Sequence, residues 1–506
     1  MPEPLRFRRV ASIKTAADFR AHVAGLGVEL PCDDAILVGA ASPLAQPITA
    51  GTINGKTIGN RWAIQPMEGW DGTAGGAPTE NTRRRWQRFG ESGAKLICGG
   101  EGMAVRADGR GNPRQLVIGA PHRTALAGLL EALVAAHRER HGRTDDLVVG
   151  FQLTHSGRFS HPNPGPHPEP RVAFRHPLLD RRAGIVSDPP VLTDDHLARL
   201  VESYVAAAKI AHEVGADFVD IKHCHGYLLH ELLAAHTRPG RYGGSFENRT
   251  RLLREIVGAI RASGNPIDLA VRLSAFDFVP FRPDPALSQP GRPGPGIPED
   301  FSGCLPYRYA FGVNPDNPVE PDLTEAVQFM ALCGDLGIKI LNLSAGSPYY
   351  NPHIQRPAAY PPSDGYQPPE DPLVGVARQI QATRALKARA PAGLILVGSA
   401  YSYLQEYLPH VAQAVLRQGW TDVVGVGRAA LSYPSFLADA VGTGRVNPRF
   451  ICRTFSDCTT APRNGLVSGC YPLDEYYKAK PECKALKRAK SAAGGELRDP
   501  RGSCAS

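Results

Sequence analysis

The chain has 506 residues, with 42% hydrophobic and 21% charged side chains and a formal net charge of +8 at pH 7. These values describe a soluble globular protein with ample material for a core, arranged as one large barrel or as about two or three ordinary domains. The charge is modest for this length, so it favours anionic ligands and does not indicate nucleic-acid binding.

Export and membrane insertion are not indicated either. Residues 1–22 lack the continuous apolar core of a signal peptide, and no stretch approaches the length of a membrane span. The 10 cysteines are scattered, without the spacing of a disulfide-rich secreted domain. The sequence therefore predicts a cytoplasmic protein with reduced thiols.

Short runs with strand-like composition alternate with longer segments of helical periodicity. This alternation is typical of parallel α/β architecture. The predicted strands are Trp62–Pro66, Lys95–Cys98, Leu147–Leu153, Phe218–Ile221, Leu269–Leu273, Lys339–Leu343, Leu394–Val397 and Val423–Val426. The predicted helices include Asp195–Val214, Glu247–Ile260, Leu323–Leu336, Pro372–Arg389 and Tyr403–Gln418.

Eight strands, nearly all followed by a helix, favour a closed (β/α)8 TIM barrel over an open sheet. An open doubly wound sheet would carry a glycine-rich phosphate turn after its first strand, and Gln65-Pro66-Met67-Glu68 is not such a turn. We therefore predict an α/β TIM barrel with rim insertions and a short C-terminal extension.

The same pattern sets the expected boundaries along the chain. Long insertions after the fifth and sixth strands would lie at the carboxyl rim of the barrel, where substrate-covering loops belong. The expected segments are an N-terminal segment packing on the barrel (1–50), the TIM barrel (51–445) with insertions at about 279–320 and 346–372, a Cys-containing extension (446–480) and a disordered tail (481–506).

The most polar strand end is the stretch Val219-Asp220-Ile221-Lys222-His223-Cys224-His225-Gly226-Tyr227. An apolar strand runs here straight into a Lys, two His and a Tyr, and such groups are costly to bury. We therefore expect this strand to open into a solvated, chemically active mouth. A chance polar loop is the alternative.

Polar residues follow other predicted strands as well. Gln152 both donates and accepts hydrogen bonds, so it suits a ring with alternating N–H and C=O edges. Arg272 places a permanent cation at the barrel axis, where a buried charge needs an anionic partner. The glycines after the last two strands, with Arg428, fit a phosphate cradle, although a tight turn has the same composition. Together these groups predict a site for FMN, with Arg272 at the N1/O2 edge of its ring.

A series of motifs carries a resemblance over roughly residues 50–470: Asn60-Arg61, Gln65-Pro66-Met67, Gln152 through Arg158, Gly215 through Leu229, Arg241 through Arg249, Val397-Gly398-Ser399 and Val426-Gly427-Arg428. On these residues the chain resembles the old yellow enzyme, or NADH:flavin oxidoreductase, family. The Tyr-Gly-Gly-Ser-x-Glu-Asn-Arg element is highly specific. The resemblance implies a TIM barrel that holds FMN non-covalently, is reduced by NADH or NADPH, and passes hydride to an acceptor.

The resemblance also implies roles for individual residues. His225 takes the second place of the family's carbonyl-binding pair, and Tyr227 takes the place of its proton donor, with Lys222 at the first carbonyl-binding place. Gln152 and Arg272 would contact the flavin ring. The other implied flavin contacts are Pro66, Met67, Glu68 and Gly102 near the ring, and Gly398, Ser399, Gly427 and Arg428 at the phosphate.

This sequence departs from the family at the first carbonyl-binding place, which usually holds His. Lys222 stands there, and His223 is an additional residue beside it. A Lys ammonium could polarise a carbonyl, hold a carboxylate or sit near reduced flavin. We therefore expect an acidic or thioester-bearing acceptor to fit at least as well as an unsaturated ketone. His223 is either a ligand or a side chain that hydrogen-bonds in the barrel wall.

Three cysteines lie in the extension that follows the barrel (446–480). Larger enzymes of this group, similar to trimethylamine dehydrogenase and 2,4-dienoyl-CoA reductase, carry a four-Cys iron–sulfur site there. Here Cys452, Cys458 and Cys470 remain, and Phe455 stands at the middle ligand's place. Because a [4Fe–4S] cluster takes four thiolates, we expect neither a cluster nor a zinc site, and we interpret these residues as buried thiols.

The leading prediction is an FMN-dependent ene-reductase that uses NAD(P)H and reduces an activated C=C bond of an unsaturated carbonyl, acid or thioester. An oxidative amine dehydrogenase or demethylase is one alternative, for which Trp70, Tyr349 and Tyr350 would supply part of an aromatic cage. A barrel that binds flavin without turnover is another. The expected partners are small molecules, with no nucleic acid and no membrane, and the oligomeric state stays open, a homo-oligomer included.

Overall fold

Eight short parallel strands form the centre of the molecule. The computed structural model of the protein describes residues 7–165, 167–183, 185, 191–289 and 292–492. Each barrel strand in these residues overlaps the strand predicted for it. They are β1 Trp62–Ile64, β2 Leu96–Ile97, β3 Val148–Thr154, β4 Phe218–His223, β5 Asp268–Ser274, β6 Ile340–Ser344, β7 Ile395–Gly398 and β8 Val423–Val426.

The strands pair in chain order until the sheet closes on itself. Every pairing between them is parallel, β2 bonds to both β1 and β3, and β1 also pairs with β8, where Ala63 lies opposite Gly425. A further strand, Gly102–Ala104, adds to β3 beyond the carboxyl end of β2. The prediction of a (β/α)8 TIM barrel is confirmed.

Side chains along each strand alternate between the inside of the barrel and the surrounding helices, because successive residues point to opposite faces. In β4, Phe218, Asp220 and Lys222 point inward, whereas Ile221 and His223 pack toward the helices. The strand is buried along its whole length. The alternation therefore decides which residues of the polar stretch reach the barrel interior.

An apolar plug closes the amino ends of the strands. Three isoleucines that precede β1, Ile48, Ile53 and Ile58, pack there against inward side chains of the strands. This filling leaves the interior accessible from the carboxyl ends, as in other barrels of this kind. The plug consists of Ile48, Ile53, Ile58, Ala63, Leu96, Cys98, Val148, Phe218, Ala270, Ile340, Ile395, Val397 and Val423.

Helices between the strands cover the outside of the barrel. The helix Asp194–Glu213 begins after Thr193, whose hydroxyl accepts a hydrogen bond from the amide of His196 at 3.2 Å. No helix among the described residues is both long and apolar enough to cross a bilayer. The α-helices of five or more residues are Ala16–Gly25, Glu80–Gly90, Arg123–His141, Pro177–Arg182, Asp194–Glu213, Leu228–Leu233, Arg251–Ala262, Thr324–Asp335, Pro372–Lys387, Leu408–Arg417, Arg428–Ser432, Phe436–Thr443, Asp457–Arg463 and Glu482–Ala492.

Two predicted helices differ from the observed ones. The predicted Glu247–Ile260 is divided at Thr250 into a single turn and the helix Arg251–Ala262. The predicted Tyr403–Gln418 starts with a 3-10 segment and becomes α-helical only at Leu408. A proline follows Leu408 in the first turn, where its missing N–H costs nothing.

The two rim insertions and the C-terminal extension contain short elements of their own. The first insertion, apart from residues 290 and 291, which lie outside the described residues, carries the antiparallel pair Phe281–Pro283 and Gly296–Pro298. The second carries the helical turn Pro352–Gln355. In the extension, Asp474 accepts two hydrogen bonds from Arg84 of the helix Glu80–Gly90, at 2.9 and 3.0 Å. The extension is thereby fixed to the barrel.

The expected disordered tail begins as a helix instead. Glu482–Ala492 is helical, and Cys483 and Leu486 pack against Tyr471 and Tyr477 of the extension. Alanine, lysine, glutamate and arginine are strong helix formers, so the same composition that suggested disorder supports this helix once an apolar face is covered. Residues 493–506 lie outside the described residues.

Candidate active site

A cavity opens at the carboxyl ends of the barrel strands. Its volume is about 210 Å³. One buried water needs roughly 10–15 Å³, so this cavity is a site for a larger ligand. Most of the predicted site residues line it: Pro66, Met67, Glu68, Gln152, Lys222, His225, Tyr227, Arg272, Ser399, Gly427 and Arg428.

Two predicted flavin contacts and one predicted cage residue lie outside the lining. A Cβ atom on Gly102 would come within 2.6 Å of Glu68 Oε1, so this glycine leaves room for that carboxylate. A Cβ atom on Gly398 would lie 3.1 Å from the hydroxyl of Tyr401, so it too belongs to the packing behind the wall. Tyr350, expected in an aromatic cage, is buried and donates its hydroxyl to Asp277 at 2.5 Å.

Glu68 holds a cluster of polar groups on one side of the cavity. Lys222 Nζ donates to its Oε1 at 2.6 Å, while the Tyr227 hydroxyl and the Trp70 indole donate to its Oε2 at 3.2 and 2.9 Å. The Lys222 ammonium also lies 3.9 Å from the centroid of the Tyr227 ring. The buried Lys222 charge is thus balanced by Glu68, and the ammonium retains further N–H donors for a ligand.

The Tyr227 hydroxyl stays protonated near neutral pH. Burial, followed by the negative charge of Glu68, raises the pKa of Tyr227 well above its usual value. Its oxygen lies 2.9 Å from the hydroxyl of Tyr349, which also lines the cavity. The pair can therefore give up a proton at Tyr227 and replace it through Tyr349.

His225 is held in a fixed position at the end of β4. Its backbone has a positive φ of 66°, its amide donates to Ser274 Oγ at 3.1 Å, and its ring Nε2 lies 2.9 Å from Ser344 Oγ. Burial and the positive charges of Arg272 and Lys222 lower the pKa of His225 well below its usual value. The imidazole is therefore neutral and keeps one N–H to donate.

His223 faces away from the cavity. Its Nδ1 lies 2.9 Å from the carbonyl oxygen of Ile221, and its ring packs 5.4 Å from that of Phe329 in the helix Thr324–Asp335. Burial lowers the pKa of His223 to about 4. Of the two interpretations of His223, the position in the barrel wall is the one observed.

Gln152 is oriented by a carboxylate that the sequence analysis did not assign. Gln152 Nε2 donates to Asp220 Oδ2 at 2.8 Å. Burial raises the pKa of Asp220 to about 6, against the lowering effects of Gln152, Arg272 and Lys222. Because Asp220 accepts the amide N–H of Gln152, the amide oxygen and second N–H are left for a ligand. Strand alternation from Lys222 could have revealed Asp220 as an inward residue.

Two arginines of the cavity have donors without acceptors. Arg272 is 7% exposed and Arg428 is 9% exposed, yet neither forms an ion pair within the described part of the chain. Arg272 Nε and Arg428 Nη1 are buried and find no hydrogen-bond partner among the described residues. Unpaired buried cations are costly, so the cavity suits an anionic ligand.

The arrangement fits FMN. Gln152 and Arg272 offer hydrogen bonds to a ring from β3 and β5, and Ser399, Gly427 and Arg428 offer them to a phosphate beyond β7 and β8. The orphaned N–H groups of Arg272 and Arg428 are the donors that such a ring and phosphate would satisfy.

The cavity lining also contains residues that the sequence analysis did not single out as site residues. They belong to the strand-end loops, the second insertion and the C-terminal extension, which meet only in three dimensions. No local pattern marks them, apart from the basic character of two of them. They are Gln65, Ser344, Gln355, Arg356, Ser402, Cys458, Thr459, Pro462 and Arg463.

The three cysteines of the Cys-containing extension (446–480) are free thiols. In the part of the chain that the structure describes, no three His, Cys, Asp or Glu side chains are arranged to hold a metal ion. Phe455, at the place of a cluster ligand, stacks on Tyr360 with ring centroids 5.4 Å apart. Cys452, Cys458 and Cys470 are free, whereas Cys483 is disulfide-bonded and departs from the expectation of reduced thiols.

Comparison with known proteins supports the resemblance. Residues 43–284 match the family model described as NADH:flavin oxidoreductase / NADH oxidase family. NADPH dehydrogenase of Geobacillus sp. is 30% identical over 239 residues, which cover 45% of this chain and 63% of the relative. The chain thus spans less than two thirds of the length of the curated relatives it matches.

Solved structures share the fold at low sequence identity. A 2-naphthoyl-CoA reductase in complex with 2-naphthoyl-CoA matches 88% of this chain and 58% of its own, with a TM-score of 0.60 and 17% identity. Morphinone reductase in complex with tetrahydroNAD matches 80% of this chain and 92% of its own, with a TM-score of 0.50 and 22% identity. This chain thus matches the family model over residues 43–284 and shares the fold of these solved structures over most of its length.

Proposed function

We propose that the protein is an FMN-dependent oxidoreductase that is reduced by NADH or NADPH and reduces an activated C=C bond. The observation that carries this proposal is the pair of buried, unsatisfied arginine donors along one cavity, at Arg272 in β5 and Arg428 after β8. An isoalloxazine ring that gathers negative charge and a phosphate would satisfy them. The match of residues 43–284 to the model of the NADH:flavin oxidoreductase / NADH oxidase family supports the same proposal.

The side chains around Glu68 would act on the acceptor. FMN bound in the cavity would supply the hydride, which adds to the β-carbon of the alkene. The neutral His225 and the Lys222 ammonium would donate hydrogen bonds to the carbonyl or carboxylate oxygen and withdraw electrons from the alkene. Tyr227 would give its proton to the α-carbon, so that one hydride and one proton saturate the double bond. Tyr349 would return a proton to Tyr227 across the 2.9 Å contact.

The charge of the cavity favours an acidic or thioester acceptor. Glu68 is the one carboxylate among the described lining residues, and it stands against Lys222, Arg272, Arg428 and two further arginines. A flavin phosphate would use part of this positive charge, and an anionic acceptor would use more. A solved relative of the same fold binds an acyl-CoA, which is a reason to include such thioesters among the acceptors tested.

Amine oxidation is less well supported. That chemistry needs an aromatic cage for a substrate cation. Here the Lys222 ammonium already lies 3.9 Å from the Tyr227 ring, where it would repel a second cation. Tyr350, a predicted cage member, is outside the cavity lining.

Anaerobic spectroscopy on the purified full chain tests the proposal. We expect a yellow protein that NADH or NADPH bleaches and that an α,β-unsaturated acid or thioester recolours. Recolouring is followed at the flavin absorbance by stopped flow, with a saturated acid of the same length as the matched control. A colourless protein that takes up no added FMN would contradict the proposal. Bleaching by an amine in place of NAD(P)H would support the oxidative alternative.

A further inference from the structure

Two guanidinium groups lie close together in the cavity wall. Arg356 follows the helical turn Pro352–Gln355 of the second insertion, and Arg428 donates from Nη2 to the carbonyl oxygen of the next residue, Pro357, at 2.9 Å. Both arginines line the cavity. Burial and then the charge of Arg428 lower the pKa of Arg356 to about 9. The two like charges therefore repel each other in a partly desolvated place.

Neutral groups hold Arg356 without cancelling its charge. Its Nη2 donates to Ser456 Oγ at 3.1 Å, and its Nη1 donates to Thr459 Oγ1. Ser456 is itself fixed, because its hydroxyl donates to the carbonyl oxygen of Tyr360 at 2.5 Å. Among the described residues no carboxylate forms an ion pair with Arg356, whereas Arg463, the third arginine of this wall, is paired with Asp364. The C-terminal extension thus orients a cation that has no counter-charge.

We propose that Arg356 and Arg428 together bind the phosphate dianion of FMN. This inference rests on the proposed function and extends it. A phosphate monoester carries a charge of about −1.5 to −2 at neutral pH, which two guanidinium groups balance. Planar N–H pairs suit phosphate oxygens, and relief of the repulsion between the arginines adds to the attraction. The extension, through Ser456 and Thr459, would then form part of the cofactor site.

Riboflavin provides the test, because it has the ring and the ribityl chain of FMN but lacks the phosphate. Dissociation constants of both flavins are measured by fluorescence quenching with the full chain after removal of its flavin. For Arg356→Met we expect FMN to bind about 10- to 100-fold more weakly and riboflavin to bind within about threefold of its affinity for the unchanged protein. Arg356→Lys keeps the charge and should lose less of the preference for FMN.

A matched control is Arg378→Met. Arg378 pairs with Glu370 through two 2.7 Å hydrogen bonds and lies outside the cavity lining. This variant should keep the preference for FMN over riboflavin. The double variant Ser456→Ala, Thr459→Val should lose part of it, since Arg356 is then no longer oriented. If Arg356→Met folds poorly, this double variant and Arg356→Lys carry the test.

The outcomes separate the two proposals. An unchanged ratio of the two dissociation constants in Arg356→Met, or in the double variant when that carries the test, would overturn the role of Arg356 and leave the proposed function standing. Equal affinity of the unchanged protein for both flavins would mean that no phosphate is recognised, which also overturns the inference. If the unchanged protein binds neither flavin, the proposed function itself fails.

Discussion

The two ends of the barrel are built by the same strands from opposite kinds of side chain. At the amino ends, inward residues such as Phe218 and Ala270 belong to the apolar plug. Two to four residues further along the same strands, Asp220, Lys222 and Arg272 point into the barrel and carry charge. Because the strand period is two, one continuous strand supplies both stability and chemistry. The active end is thus charged at the expense of apolar packing, and four experiments test this difference between the two ends.

The largest effect is expected at the carboxyl end, in Tyr227→Phe. Loss of the phenol proton should slow alkene reduction by about 100- to 10,000-fold, while bleaching of the flavin by NAD(P)H stays nearly unchanged. Stopped-flow measurement of the two half-reactions separates them. Tyr204→Phe is the matched control, because the buried Tyr204 hydroxyl has no hydrogen-bond partner in the described residues and lies outside the cavity lining. An equal fall of both half-reactions would disprove the assignment of the proton donor.

At the amino end, Phe218→Ala should act on stability. The Phe218 ring packs directly on Gly150 of β3 and is 1% exposed, so truncation leaves a cavity in the plug. We expect the free energy of unfolding to fall by about 3–5 kcal/mol, and by less in Phe218→Leu. Urea denaturation measures this loss. The dissociation constant of the flavin should change by less than about threefold. This is a small change in binding free energy, because a tenfold change in the constant corresponds to about 1.4 kcal/mol. A large loss of flavin binding would show that the two ends are not separable.

Asp220→Asn tests whether the charged end reduces stability. Burial raises the pKa of Asp220 from an ordinary 3.8 to about 6, so the folded protein holds this proton more tightly than the unfolded chain. Folded-state stability therefore falls as pH rises from about 4 to about 6, by roughly 3 kcal/mol in total. The difference in unfolding free energy between Asp220→Asn and the unchanged protein should therefore favour the variant more at pH 8 than at pH 4, by about this amount. Melting curves at the two pH values would show it, and equal differences would argue against it. Flavin affinity should fall, because the neutral oxygen of Asn accepts the N–H of Gln152 more weakly than the carboxylate does.

The smallest effect is expected for the pair of Glu68 and Lys222. Glu68→Gln leaves the 4% exposed Lys222 side chain without its counter-charge, and Lys222→Met leaves the carboxylate without its own. Each single change should cost about 2 kcal/mol of unfolding free energy, and the double variant should cost less than the sum. A double-mutant cycle by urea denaturation measures the coupling. Additive losses would mean that the ion pair contributes nothing.

Much of the fold could be predicted from the sequence, because hydrophobic period and strand length are local properties. Every barrel strand was found near its predicted place. The alternation that turns Lys222 inward and His223 toward the helices is also local, and it could have settled the role of His223 from the sequence. The break after β2 was not predicted: Gly99 and Gly100, at φ of 95° and 57°, interrupt the chain before the further strand begins at Gly102.

Site residues at strand ends could be predicted from the sequence. Site residues of the second insertion and the C-terminal extension could not. Gln152 and Arg272 stand near the carboxyl ends of β3 and β5, and Arg428 follows β8, so the topology brings all three to the same end of the barrel. Arg356 and Thr459 are separated by about a hundred residues and meet only because the extension folds back over the rim. Such long-range contacts produce no periodic pattern of apolar residues in either segment, so the sequence of each segment does not predict them. The tail helix was missed for a related reason, since its apolar face is defined by the partners it covers.

The apolar plug has a kinetic consequence. Because the plug fills the amino end, reactants reach the interior of the described barrel only from the carboxyl ends of the strands. Both reactants would therefore occupy the same cavity. For a redox enzyme of the proposed kind, the nicotinamide nucleotide and the acceptor must then bind alternately, so that each dissociates before the other binds. Steady-state rates should accordingly give parallel double-reciprocal lines, with each reactant inhibiting competitively against the other when it is in excess.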